Sequence, residues 1–155
     1  MRDEHRDRGS AVHLATHYLD EDGEIGSMDE ELHGYVNAYV DFKNEWEMEP
    51  LLSEMRLYHP LLMFAGTPDR DSIVQGKRAI VELKTGELPF WCGIQTAAQE
   101  LLLQAWDTEP VRRVRLGVQL SSDGKYKVKK YESPYDVQVF RHALSIVQWK
   151  ASLIK

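Results

Sequence analysis

Apolar residues recur along this chain at two spacings, one helical and one alternating. Val12, Leu14, Ala15 and Leu19 predict a helix over residues 11–20, with Ser10 as its N-cap and the Asp22-Gly23 step as its end. Residues 1–8 are read as a frayed, charged start. Leu32, Tyr35, Val36, Tyr39, Val40 and Phe42 then recur at helical spacing within residues 27–46, with acids in the first turn. Pro50 closes that segment, and residues 51–65 read as a first strand bent at Pro60. Short strands meet next at Gln75-Gly76, the second built on Ala79-Ile80-Val81. Pro89 suits the first turn of a helix over residues 89–106, which turns Ile94, Ala98, Leu101, Leu102 and Ala105 inward. Beyond Pro110, residues 111–120 and 125–131 form a hairpin around Ser121-Ser122-Asp123-Gly124. A last helix over residues 135–153 carries Val139, Leu144, Ile146, Val147 and Trp149. Helix, helix, three strands, helix, two strands, helix: this order predicts an α/β domain with a mixed central β-sheet flanked by helices, one domain over residues 1–155.

Charge breaks this pattern at one place that matters. If Gln75-Gly76 is a two-residue loop, Val74 pairs with Lys77, and counting back sets Asp69 opposite Glu82. Side chains alternate along a strand, so Glu82 and Lys84 leave the same face. Two carboxylates and an ammonium then crowd the end of an apolar strand, where charge is costly unless paired or used. Carboxylate oxygens are hard ligands of the kind Mg²⁺ or Mn²⁺ takes, and a neighbouring lysine offsets negative charge at a reacting phosphate. A surface hairpin with ordinary salt bridges is the other reading of the same residues.

Pro68-Asp69, twelve intervening residues and Glu82-Leu83-Lys84 resemble the signature of the PD-(D/E)XK nuclease superfamily. Gly66-Thr67-Pro68-Asp69 and Glu82-Leu83-Lys84-Thr85-Gly86 are similar to its RecB-like and phage-exonuclease branch. Gly9 to His13 looks like that branch's amino-terminal Gly-x-x-x-His helix, and Glu54 falls where the branch often has a Glu on the first strand. Gln95 and the helix it stands on look like its Gln-x-x-x-Tyr helix, with Gln99 in place of the Tyr. The resemblance runs over residues 8–106 and implies a restriction-endonuclease-like αβββαβ core. It implies a Mg²⁺- or Mn²⁺-dependent deoxyribonuclease, an exonuclease by branch, working in recombination, repair or phage DNA processing. By the same resemblance His13, Asp69 and Glu82, with the main-chain carbonyl of Leu83, hold the metal, and Lys84 is the catalytic lysine. Gln95 would touch the site or the DNA backbone, and Glu54 would reach the metal, help to form a second metal site, or stay a solvated charge. A nuclease-fold protein that binds DNA or a partner without cutting is the alternative, favoured by the missing Tyr. An α/β domain with coincidental motifs is a third reading.

His17 stands one turn after His13, but no Glu lies between them as in His-Glu-x-x-His and no cysteine cluster accompanies them. Zinc is therefore set aside and His17 read as structural. A single cysteine, Cys92, excludes an intrachain disulfide and a four-cysteine iron–sulfur cluster, and fits a reducing, cytoplasmic setting. No apolar run reaches membrane-spanning length, so no membrane partner is expected. The net charge of −6 makes DNA binding depend on local basic patches, on metal ions or on a partner such as a helicase or recombination protein. No Gly-x-x-x-x-Gly-Lys motif supplies an ATPase within the chain. A homo-oligomer is left open by the branch's ring-forming members. Candidate phosphate contacts are Arg56, Arg70, Lys77, Arg78, Arg112, Arg113 and Arg115, with Lys125, Lys127 and Lys129 alternating onto one strand face. Trp91 is read as a core residue or a base-stacking one.

Overall fold

A computed structural model of the chain describes residues 2–21, 23 and 27–154, with side chains from residue 7 onward. The order is α1 (Arg2–Glu21), a 3-10 turn (Glu30–Leu32), α2 (His33–Glu45), β1 (Met48–Ser53), β2 (Leu57–His59), β3 (Phe64–Gly66), β4 (Arg70–Val74), β5 (Lys77–Lys84), α3 (Cys92–Gln104), β6 (Val114–Leu120), β7 (Tyr126–Tyr131) and α4 (Tyr135–Ser152). Five strands form a mixed sheet in the order β1-β4-β5-β6-β7, and β2 and β3 pair apart from it. The fold is mixed α/β, with helices flanking the sheet. Among the described strands only β5 and β6 run parallel, and a parallel pair needs a crossover. The helix α3 supplies it and packs on both strands.

The central strand β5 buries Ala79, Ile80, Val81 and Leu83 completely. Val81 and Leu83 join a core with Val12 of α1, Tyr39 and Phe42 of α2, and Leu116 and Val118 of β6. Glu82 leaves the opposite face, toward α3. Val74 pairs with Lys77 and Arg70 with Val81. Gln75 (φ 48) and Gly76 (φ 73) are both left-handed, the conformation that a tight two-residue hairpin turn demands. Asp69 therefore falls just past the last ladder pair, beside the end of β5. At the start of α2, Gly34 passes so close to Ser122 that a Cβ there would lie 1.8 Å from the Ser122 carbonyl oxygen. That contact ties α2 to the β6–β7 turn.

Several elements differ from the sequence pattern. Ser10 is no N-cap: α1 begins at Arg2 and runs through Gly9 and Ser10. Charged, helix-favouring residues extend it outward, and the roughly 1 kcal/mol handicap of a helical Gly is not enough to stop it. Asp22 of the expected Asp22-Gly23 break lies outside the described residues; Gly23 itself has φ 74. The expected strand over residues 51–65 is three strands. An edge strand, β1, ends at Ser53, and the β2–β3 hairpin turns through Pro60 with Met63 left-handed (φ 52). His59 tightens that turn by accepting a hydrogen bond from the Leu62 amide at 3.1 Å and stacking on Phe64. Pro50 is tolerated because β1 lies at the sheet edge, where a missing N–H costs little. The last helix presents Val137, Phe140, Leu144 and Gln148 as its partly buried side, while Val139, Ile146, Val147 and Trp149 are exposed. Phe140 meets Phe64, and Gln148 Nε2 donates to the Leu62 carbonyl at 2.8 Å.

Candidate metal centre

Three elements far apart in sequence meet at the open end of β5. The helix α1 brings His13, the chain leaving β1 brings Glu54, and the residue before β4 brings Asp69. Their ligand-capable atoms all lie within 4.8 Å of one another, the group of this kind found among the described residues. His13 Nδ1 is 2.9 Å from Glu54 Oε1 and 3.3 Å from Asp69 Oδ1. A register shift between Pro50 and Leu52 bends β1 just before Glu54, and Glu54 itself has φ 51. Bulges re-aim side chains, and a non-glycine residue held left-handed is strained unless its surroundings fix it. Here the Glu54 amide donates to the Asp69 carbonyl at 3.0 Å and the carboxylate meets Arg70.

Asp69 is held equally firmly. The Leu83 amide donates to its Oδ2 at 2.7 Å, leaving Oδ1 toward His13. Behind it stands Arg70, wholly buried and therefore no phosphate contact. Its guanidinium donates to Asp20 Oδ2 (2.6 Å), Thr16 Oγ1 (2.8 Å) and the Asp69 carbonyl (2.7 Å), and lies over the Tyr39 ring. Asp20 in turn accepts from Tyr39 and Lys43.

Glu82 sits one step away and is engaged differently from expectation. Its carboxylate, 1% exposed, accepts from Lys84 Nζ (2.5 Å) and Gln95 Nε2 (2.6 Å) at Oε1, and from Gln99 Nε2 (2.5 Å) at Oε2. The group that meets His13 thus includes Glu54 and not Glu82. The sequence reading left Glu54 undecided and saw in Gln99 only a lost Tyr. The signal for Gln99 was available: Gln95 and Gln99 stand one turn apart and share a helix face. Lys84 also lies 5.6 Å from the centre of the Trp91 ring, which is half exposed and lies outside the core. His17 Nδ1 is 2.9 Å from Ser53 Oγ, and the residue lines the same cleft as His13 without joining its group. The cleft over this group has a volume of about 640 Å³ and is lined by His13, Glu54, Arg56, Leu83 and Lys84, among others.

The expected basic contacts divide. Arg113 is buried and paired with Asp71 (3.0 Å) and Asp107 (2.6 Å), and Arg78 also bonds Asp71. Arg115 is buried against the Gly93 carbonyl and Asp136. Arg113, just before β6, is tied to β4, and Arg115 of β6 to α3 and α4; both are turned away from solvent. Arg56, Lys77, Arg112, Lys125, Lys127 and Lys129 are exposed.

Electrostatics follow from this packing. Burial alone lowers the His13 pKa, but hydrogen bonds to Asp69 and Glu54, and their charges, lift it to about 10. Burial and the nearby Asp69 push Glu82 up to about 7, against the pull of Lys84 and Gln99. Burial opposes the charge on Lys84 as well, yet Glu82 and Asp69 raise its pKa above the usual value, so it stays an ammonium at neutral pH. The protonated imidazole supplies the positive charge that a divalent cation would otherwise bring. Both raised groups bind protons more tightly folded than unfolded, so their stabilisation is full at low pH and is lost as pH rises. The Glu82 share goes between its ordinary 4.5 and about 7, and the His13 share between 6.5 and about 10. In chelator the melting temperature is expected to fall by on the order of 10 °C between about pH 6 and pH 9, and Glu82→Gln to flatten the lower part of that fall. Added Mn²⁺ should stabilise more at the alkaline end, because metal and proton compete for one imidazole. A melting temperature that rises with pH in chelator would contradict this account.

Among the described residues no helix is long and apolar enough to cross a membrane. Compared with known proteins, the chain matches no family model and no curated protein.

Proposed function

We propose that this chain is a divalent-metal-dependent deoxyribonuclease, hydrolysing DNA phosphodiester bonds at the cleft over His13, Glu54 and Asp69. The observation that carries the reading is the convergence of one imidazole and two carboxylates within 4.8 Å, beside the ion pair of half-buried Lys84 with buried Glu82, in an open cleft. One nitrogen and several hard oxygens suit Mn²⁺, and Mg²⁺ less tightly because an imidazole favours transition metals. His13, Glu54 and Asp69 would hold the ion, and Leu83, which lines the same cleft, is the candidate for a further main-chain oxygen. A cation bound there supplies a Lewis acid for the phosphate and an acidified water. Lys84 presents a fixed ammonium to the reacting phosphate and offsets the charge that develops on it. Glu82, Gln95 and Gln99 aim that ammonium. The resemblance of the Asp69, Glu82-Leu83-Lys84 and Gly9-to-His13 segments to the PD-(D/E)XK nucleases supports the same reading.

The test is calorimetry with Mn²⁺, followed by incubation with linear DNA. The chain is expected to bind Mn²⁺ and degrade the DNA, and Asp69→Asn to lose both the binding heat and the cleavage. Cleavage unchanged in that variant, or cleavage that persists in chelator, would overturn the assignment. A second reading, a nuclease-fold DNA binder that does not cut, is favoured by one observation: both Glu82 oxygens are occupied by Lys84, Gln95 and Gln99. It predicts DNA binding without Mn²⁺-dependent product.

A further inference from the structure

A second cleft, about 580 Å³ in volume, adjoins the first, and Arg56 lines both. Its walls are Leu52, Met55, Tyr58 and Trp106; its floor is the charged set Asp71, Arg78, Asp107 and Arg113. The floor is neutral overall and paired within itself, by Arg113 with both aspartates and Arg78 with Asp71. Tyr58 and Trp106 are 48% and 61% exposed, a large apolar area to leave in water. Trp106 is nevertheless fixed, because its Nε1 donates to the Tyr58 main-chain carbonyl at 2.9 Å. Arg56 stands exposed at the boundary with no ion pair or hydrogen bond among the described residues.

An all-apolar occupant would desolvate the parts of Arg78 and Asp107 that stay exposed, 33% and 14%, for no return. A flat heterocycle fits both parts, stacking its face on the aromatic wall and offering a polar edge to the floor. The free guanidinium of Arg56 then matches a phosphate attached to that heterocycle. Bases in a duplex are stacked and paired, and cannot reach such a cleft unless they leave the helix. We propose that this cleft seats an unpaired base of single-stranded DNA, with Arg56 on the adjoining phosphate and the strand continuing into the His13–Glu54–Asp69 cleft. The last clause rests on the nuclease reading above; the seat for the base does not. Single-stranded DNA, or a frayed duplex end, is thus the preferred substrate.

Binding is measured by fluorescence anisotropy in Mn²⁺ on a Lys84→Ala background, which cannot cut if the nuclease reading holds and has nothing to cut with if it fails. The probes are a short labelled oligothymidylate and a hairpin-capped duplex of matching length. The single strand is expected to bind more tightly. Tyr58→Leu and Trp106→Leu should each weaken it by about 10-fold or more, the usual scale for losing one stacked base. Trp106→Phe, which keeps a ring, should retain most of the affinity, and equal melting temperatures show that the variants fold. Arg56→Gln should weaken binding and lower the slope of log affinity against log salt by about 1. Leucine variants that bind as their parent does, or a capped duplex that binds as tightly as the single strand, would overturn the proposal. Mn²⁺ calorimetry on the unsubstituted chain separates the two claims. Metal binding with ring-independent DNA binding refutes the base seat alone; ring-dependent DNA binding without metal binding refutes the nuclease reading alone.

Discussion

Lys84→Ala is expected to lower Mn²⁺-dependent cleavage of linear DNA by on the order of 10³-fold, while Mn²⁺ binding and folding are largely kept. The effect is large because the ammonium is already charged and already aimed. Glu82 Oε1 lies 2.5 Å from Nζ, and Glu82 and Asp69 hold the Lys84 pKa above its ordinary value despite burial. Such a group acts as a fixed positive charge; a general base must first lose its proton, and this lysine holds it more tightly than usual. Folding should survive the loss because Glu82 has an alternative to ionisation. Its pKa is already about 7, and without Lys84 it moves further up and takes a proton in place of a counter-charge. Gln95 and Gln99 remain as its hydrogen-bond partners. Single-turnover cleavage assays check the rate and calorimetry checks the metal. A rate within a few-fold of the unsubstituted chain would remove Lys84 from the chemistry.

Arg70→Leu should be the most destabilising substitution near the site, costing about 3–5 kcal/mol. The guanidinium is completely buried and links Asp20 and Thr16 of α1, Tyr39 of α2, and the Asp69 carbonyl. Removing it leaves the Asp20 carboxylate, 2% exposed, with Lys43 as its sole counter-ion among the described residues. The melting temperature should drop by roughly 10 °C, given the usual few degrees per kcal/mol for a chain of this size. Mn²⁺ affinity should fall with it, because Arg70 also touches Glu54 and pins the Asp69 main chain. Adding Asp20→Leu should recover part of the stability, since removing both charges costs less than orphaning one. A double variant no more stable than Arg70→Leu would show that the guanidinium matters for its packing and not for its charge.

Much of the site's frame was legible in the residues. The Gln75-Gly76 turn forces Val74 onto Lys77, and that register alone sets Asp69 beside the end of β5. Lys127 and Lys129, expected to share one strand face with Lys125, are exposed on β7, with Lys125 exposed just before it. What failed was the fate of individual charges. Arg70, Arg113 and Arg115 look like phosphate contacts in a linear reading, yet each is buried against acids or carbonyls that sequence separation hides. Glu54 stayed undecided between a metal ligand and a solvated charge because nothing local announces the bulge in β1 or its left-handed backbone.

The residues by themselves determined the periods and most turns, and through them the succession of helices, the mixed α/β class and the register that pairs β4 with β5. These are short-range properties, fixed by side-chain alternation and by which residues tolerate a left-handed turn. Only the tertiary structure decided that Glu54 joins His13 and Asp69, that Glu82 is taken by Lys84 and two glutamines, and which side of α4 packs inward. Those outcomes depend on which distant groups displace water from a charge or an apolar surface, and one-dimensional spacing carries no record of that competition.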